Sequence, residues 1–240
     1  MRTKVIAKGN SPTNLIMVFS IYIMVTTIVL LPSAKGKILS DNFNDGVLNP
    51  EWHVQQNGCT ITETGGQLRI QGTTVKSGWG NINGIYTNYD FPEGNFDVSV
   101  DFSVPQFSGS GTRLIYLQAA CSSETVGIFY SVDYFYRVQT WTPSQFSDWL
   151  NPFGDEDSAL HRMRLVYNFN QKILTGYVDN NFVGSLSAQM SGKVNFTIQA
   201  ATETSGMVID ARFDNFNVIP EPATIVLLTL GGIILRKSRR

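Results

Sequence analysis

Cysteine and histidine are scarce, with two of each in 240 residues. Cys59 and Cys121, His53 and His161 stand far apart, and no Cys-x-x-Cys pair or Cys/His cluster occurs. That argues against a zinc centre. The two thiols allow a single disulfide, yet both lie in strand-like segments where buried free cysteines also occur, so both states stay open. Basic residues are sparse in the middle of the chain. Of 18 Lys and Arg, eight lie in the two ends, which leaves ten between residues 37 and 222 against all 19 acidic residues, a net charge of −9. Such a body repels phosphate backbones, and no basic patch with interleaved aromatics survives, so nucleic acid is not an expected partner. No window between 38 and 219 shows a helical period. Two catalytic signatures are also missing: a Gly-x-Ser-x-Gly elbow ahead of a helix, and any Glu-x-Asp-x-x-Glu run.

The two ends carry what the middle lacks. Arg2, Lys4 and Lys8 precede an apolar run from Leu15 to Leu31, and Ala34-Lys35-Gly36 offers a small-x-small cleavage site. Residues 1–36 therefore read as a signal peptide cut after Gly36, with cleavage at Ala34 or an uncleaved anchor as alternatives. At the other end, Pro220-Glu221-Pro222 is followed by the uncharged run Ala223 to Leu235 and the basic tail Arg236-Lys237-Ser238-Arg239-Arg240. Two prolines end a folded domain, because they can neither continue a strand nor sit inside a helix. As a helix the run reaches about 20 Å at ~1.5 Å per residue, short of a bilayer core of about 30 Å, and snorkelling basic side chains extend it. The order Pro-Glu-Pro, short apolar helix, Arg-rich end resembles the PEP-CTERM sorting signal of bacterial exported proteins. The resemblance implies processing by an exosortase-type enzyme, a transient membrane anchor in residues 220–240, and association with extracellular polysaccharide at the cell surface. A plain C-terminal anchor is the alternative.

Between the ends the signal is strand after strand. Phe96, Val98, Val100, Phe102 and Val104 alternate with Asp97, Ser99, Asp101 and Ser103, the period of a half-buried strand. Cys59–Glu63, the turn Thr64-Gly65-Gly66 and Leu68–Ile70 read as a hairpin. Met163, Leu165 and Tyr167 alternate with arginines, and turns at Asn168–Gln171 and Asp179–Asn181 lead into Ile173–Val178 and Phe182–Leu186. Arg113–Ala120 and Val126–Trp141 are apolar on both parities, as expected of strands covered on both faces. Roughly a dozen strands without helix predict an all-β fold, a two-sheet antiparallel jelly-roll sandwich over residues 37–219. Thr142–Ala159 reads as a long irregular connection.

Ser40-Asp41-Asn42-Phe43-Asn44-Asp45-Gly46 with Trp52, Glu93-Gly94-Asn95-Phe96-Asp97-Val98, the segment from Arg162 to Ser185, and Phe213-Asp214-Asn215-Phe216-Asn217-Val218 together resemble the concanavalin A-like lectin/glucanase (LamG-like) jelly rolls. The glucanases of that fold carry Glu-x-Asp-x-x-Glu on a concave strand. Its absence leads to the expectation that this chain is not an enzyme. Asp97 and Asp101 share a face about 13 Å apart and read as the solvated side of their strand. The resemblance also implies a structural calcium at Asn42, Gly94 and Asp214, with Asn42 a neutral residue where the family has a charge.

Sugar contact has a pattern of its own. On one parity of the strand ending at Trp141 stand Phe135, Arg137, Gln139 and Trp141, with Trp149 in the loop beyond: rings for the apolar faces of pyranoses, amide and guanidinium groups for the hydroxyls. Arg137, Gln139, Trp141 and Trp149 are the predicted carbohydrate-binding residues. A core role for Phe135 and Trp141, with Arg137 in an inter-strand ion pair, is the alternative. Trp52 reads as core. The expected function is non-catalytic contact with extracellular polysaccharide, with a structural matrix protein, or a glycosidase lacking the usual motif, as alternatives.

Overall fold

The computed structural model describes residues 40–76, 81–87, 91, 93–109, 112–131, 135–141, 144–148, 150 and 159–220, all within the unit Ile38–Arg240. Among them are fifteen strands: β1 Ser40–Asp41, β2 Trp52–Gln55, β3 Cys59–Thr64, β4 Gln67–Thr73, β5 Asn81–Thr87, β6 Phe96–Ser108, β7 Arg113–Ala120, β8 Thr125–Ser131, β9 Phe135–Trp141, β10 Ser144–Phe146, β11 His161–Asn168, β12 Ile173–Val178, β13 Asn181–Ser187, β14 Asn195–Thr202 and β15 Val208–Pro220. They form two antiparallel sheets. The eight-stranded sheet runs β13-β12-β11-β6-β15-β4-β3 with β1 paired to β15, and the seven-stranded sheet runs β10-β9-β8-β7-β14-β5-β2. The signal segment and the Ala223–Leu235 run lie outside the described residues, as do Glu221, Pro222, Trp79 and Trp149.

The core lies between the sheets and follows strand parity. Val98, Val100 and Phe102 of β6, Met163 and Leu165 of β11 and Phe213 of β15 meet Ile115 and Leu117 of β7, Ile128 of β8 and Ile198 of β14, all buried. Trp52 is core as expected: its ring packs on Phe216 at 4.9 Å, and its indole N–H donates to Asp41 Oδ2 at 2.8 Å. Asp179 and Asn180 take positive φ of 47° and 66°, which turns β12 tightly into β13.

The closing segment is one strand of 13 residues, bent where its register shifts between Asp210 and Arg212 and between Asp214 and Asn217. One expectation changes. The connection after Trp141 holds ordered structure: β10 pairs back onto β9, and Leu150 bridges to Tyr136. Both cysteines are free, Cys59 buried in β3 of one sheet and Cys121 following β7 of the other. Burial pushes the Cys59 thiol up to about 11.

Candidate functional site

Alternation along each strand of the seven-stranded sheet sends one set of side chains inward and the other to its outer face. Register aligns the outer set in rows. One row runs Gln55, Gly84, Gln199, Tyr116, Phe129 and Arg137, and the next runs His53, Tyr86, Thr197, Gln118, Gly127, Gln139 and Phe146. Arg137, Gln139 and Trp141 thus share one face, on the parity read from the sequence, while Tyr136 and Val138 enter the core.

The centre of this face is closed. Leu114, Tyr116, Phe129 and Ala201 form a second buried apolar cluster, with Ile82 and Trp141 packed at its edge. Phe129 meets Tyr116 edge to face at 4.5 Å and Trp141 at 5.3 Å. Beside the cluster the Gln199 side-chain amide donates to Gln118 Oε1 at 2.6 Å, both residues buried. Glycine flanks this pair on either side. A Cβ on Gly127 would stand 3.0 Å from Gln118 Cγ, and one on Gly84 would collide with Gln199 Cβ.

The margins are open. Phe135 is 40% and Phe146 49% exposed on one side, and Tyr86 is 37% exposed on the other, stacked 5.0 Å from His53. Arg137, half-buried, lies over the Phe146 ring at 4.3 Å and near that of Phe129 at 5.8 Å, and its Nη2 donates to Gln139 Oε1 at 3.2 Å. Desolvation lowers the Arg137 pKa, against an opposing pull from Tyr116. The guanidinium still stays charged at neutral pH. Burial in turn raises the Tyr116 phenol. Phe135 is exposed, so the core role read for it does not hold, and Arg137 lies against two rings and an amide.

Among the described residues of its strands this outer face carries no aspartate or glutamate. Asp133, Asp155, Glu156 and Asp157 lie outside the described residues. Asp97 and Asp101 face outward from the other sheet, each bound in bidentate fashion: Arg164 Nε and Nη2 donate to Asp97 at 2.8 and 2.5 Å, and Arg162 Nε and Nη2 to Asp101 at 2.5 and 2.9 Å. They are structural partners: the outward parity holds, but Asp101 is buried rather than solvated.

The expected calcium ligands are not gathered. Asn42 follows β1, and shares a surface cleft with Asn215 and Asn217. Asp214 stands opposite Asp101, whereas Gly94 lies beyond Phe96 at the other end of β6, where the partner is Pro220. At ~3.3 Å per residue the five steps from Phe96 to Asp101 span about 16 Å, with Gly94 outside β6 beyond Phe96. The sequence resemblance named the segments but could not supply their register. Among the described residues no group of three or more His, Cys, Asp or Glu could hold a metal ion.

No family model matches the chain, and no curated protein matches it. Solved structures do. A sialidase superposes with a TM-score of 0.57 at 13% identity, over 76% of this chain and 18% of that one. A GlcNAcα1-4Gal-releasing endo-β-galactosidase from Clostridium perfringens gives 0.57 at 14% identity, over 75% of this chain and 61% of that one. The catalytic domain of an endo-1,3-β-glucanase (laminarinase) from Thermotoga petrophila gives 0.58 at 12% identity, over 78% of this chain and 98% of that one. The chain thus spans less than two thirds of the first two. These identities speak for the fold, the concanavalin A-like jelly roll. They also correct the expectation that the chain is not an enzyme, because these three structures of its fold are named as a sialidase, an endo-β-galactosidase and an endo-1,3-β-glucanase. The physical reason is plain: a missing linear motif removes one arrangement of carboxylates on one strand, while separate strands and loops can supply others.

Proposed function

We propose that this chain is an exported, surface-associated jelly roll that acts on extracellular polysaccharide, taking the glycan on the outer face of the seven-stranded sheet. One observation carries the reading: Arg137 is fixed between the Phe129 and Phe146 rings and tied to Gln139, beside the partly exposed Trp141. A pyranose needs an apolar ring to stack on and oriented donors for its hydroxyls, and this margin supplies both without further ordering of side chains. The carbohydrate-cleaving neighbours support the substrate class.

The test passes the purified full-length chain over immobilised β-glucans, galactans and mucin-type glycans, reading retention and release of reducing ends together. Trp141→Ala and Arg137→Ala are each expected to weaken the retained interaction about tenfold, ~1.4 kcal/mol. Retention and turnover unchanged in both variants would sink the reading. In the same proposal, residues 1–36 export the chain and Pro220-Glu221-Pro222 delivers it to an exosortase-type enzyme. Replacing the three residues by Ala-Ala-Ala should then leave full-length protein in the membrane fraction; unchanged processing would refute that part.

A further inference from the structure

On the outer face of the eight-stranded sheet the pairing of charges is uneven. Arg162 and Arg164 each hold an aspartate of their own, but Asp210 serves two guanidinium groups. Arg69 grips it through Nε at 2.9 Å and Nη2 at 2.7 Å, which leaves Arg212 at 3.6 Å. Register sets Arg212 directly opposite Arg69, so two like charges face each other across β15 and β4. The Arg212 Nε is closed to solvent and has no hydrogen-bond partner among the described residues. Both arginines line a shallow cavity of about 230 Å³ completed by Thr64, Gly65 and Gln67. With the Asp210 they share, the two arginines leave one net positive unit at the cavity, and its neutral groups offer hydroxyl, amide and backbone N–H donors.

We propose that Arg69 and Arg212, with Thr64, Gly65 and Gln67, form a carboxylate-binding subsite for a sugar acid. A guanidinium matches a carboxylate in planar, two-point fashion. The neutral donors suit ring hydroxyls. The cavity falls below the ~300 Å³ at which drug-sized pockets begin, which limits the occupant to about one ring. The net charge of −9 over residues 37–222 disfavours densely charged polyanions and leaves an isolated carboxylate on an otherwise neutral glycan. This subsite lies on the opposite sheet from Trp141 and stands apart from the function proposed above.

The experiment titrates full-length protein, labelled with 15N-arginine, with D-glucuronate, D-glucose or acetate while following the arginine Nε–H resonances. Glucuronate should shift Arg69 and Arg212 saturably and leave Arg162 and Arg164 in place, and glucose should shift none. Arg212→Gln should weaken glucuronate about tenfold, and Trp141→Ala should leave its affinity unaltered. Should Arg212→Gln fail to fold, Gln67→Ala, outside the ion pair, should weaken glucuronate but not acetate. Equal shifts at all four arginines, or unchanged affinity in the variants, would overturn the subsite. Acetate binding as tightly as glucuronate would overturn the sugar-acid assignment.

Discussion

On the outer face of the eight-stranded sheet, Arg69, Arg162 and Arg164 each hold a carboxylate in two-point contact. On the outer face of the seven-stranded sheet Arg137 lies among phenyl rings and a glutamine, beside a buried aromatic cluster. The first face is finished by ion pairs whose Asp101 and Asp210 carboxylates are buried beside their arginines. The second is finished by apolar contact and neutral amides, the surroundings in which a sugar ring competes best with water. That contrast sets what each face contributes to stability and which one suits a glycan.

The sharpest break comes from Phe129→Ala. Phe129 is 1% exposed and joins Tyr116 to Trp141, so its loss should cost about 3–5 kcal/mol by the size of the cavity left behind. Chemical denaturation reads this directly, and a cost below about 1 kcal/mol would mean the cluster is not a second core. Asp101→Ala comes next. It leaves Arg162 and the Asn215 amide without their acceptor, but Arg162 can turn to water, so about 1–2 kcal/mol is expected. Arg164→Ala touches a partly exposed pair and should stay within about 1 kcal/mol, shrinking further as salt is raised.

Acid sharpens the comparison on one sheet only. Hydrogen bonding to Arg69 holds the Asp210 carboxyl below its ordinary value. Its contribution is present above the unfolded aspartate pKa of about 3.9 and is lost as pH falls through the lower folded value. Asp210→Asn should therefore flatten the loss of stability below about pH 4. Asp214 runs the other way, because burial raises its pKa and protonation relieves that cost. Asp214→Asn should gain a little stability at neutral pH, and a loss there would show that its charge is needed. The smallest effect concerns the thiols: with Cys59 and Cys121 free, dithiothreitol should leave the melting temperature unchanged.

Much of the fold was legible in the chain because strand period two is local information. Alternation at Phe96–Val104 and at Met163–Tyr167 named the core side chains, and two-sided apolarity at Arg113–Ala120 and Val126–Trp141 announced strands covered on both faces. The candidate site was legible in part. Parity put Arg137, Gln139 and Trp141 on one side of β9, but it said nothing of Phe129, Tyr116, Gln118 or Gln199, which reach that side from other strands. Phe146 was missed for a related reason: its segment looks irregular until it pairs with β9.

The sequence by itself determined the strand-rich body, the parity of each strand and the acidic balance, since these depend on neighbours one or two residues apart. Only the tertiary structure decided which strands lie side by side. Register between distant segments joined Arg69 to Asp210, 141 residues apart in sequence, carried Gly94 away from Asp214 and closed the aromatic cluster beside Arg137. No local pattern encodes such offsets; they are fixed by burying all the apolar faces at once.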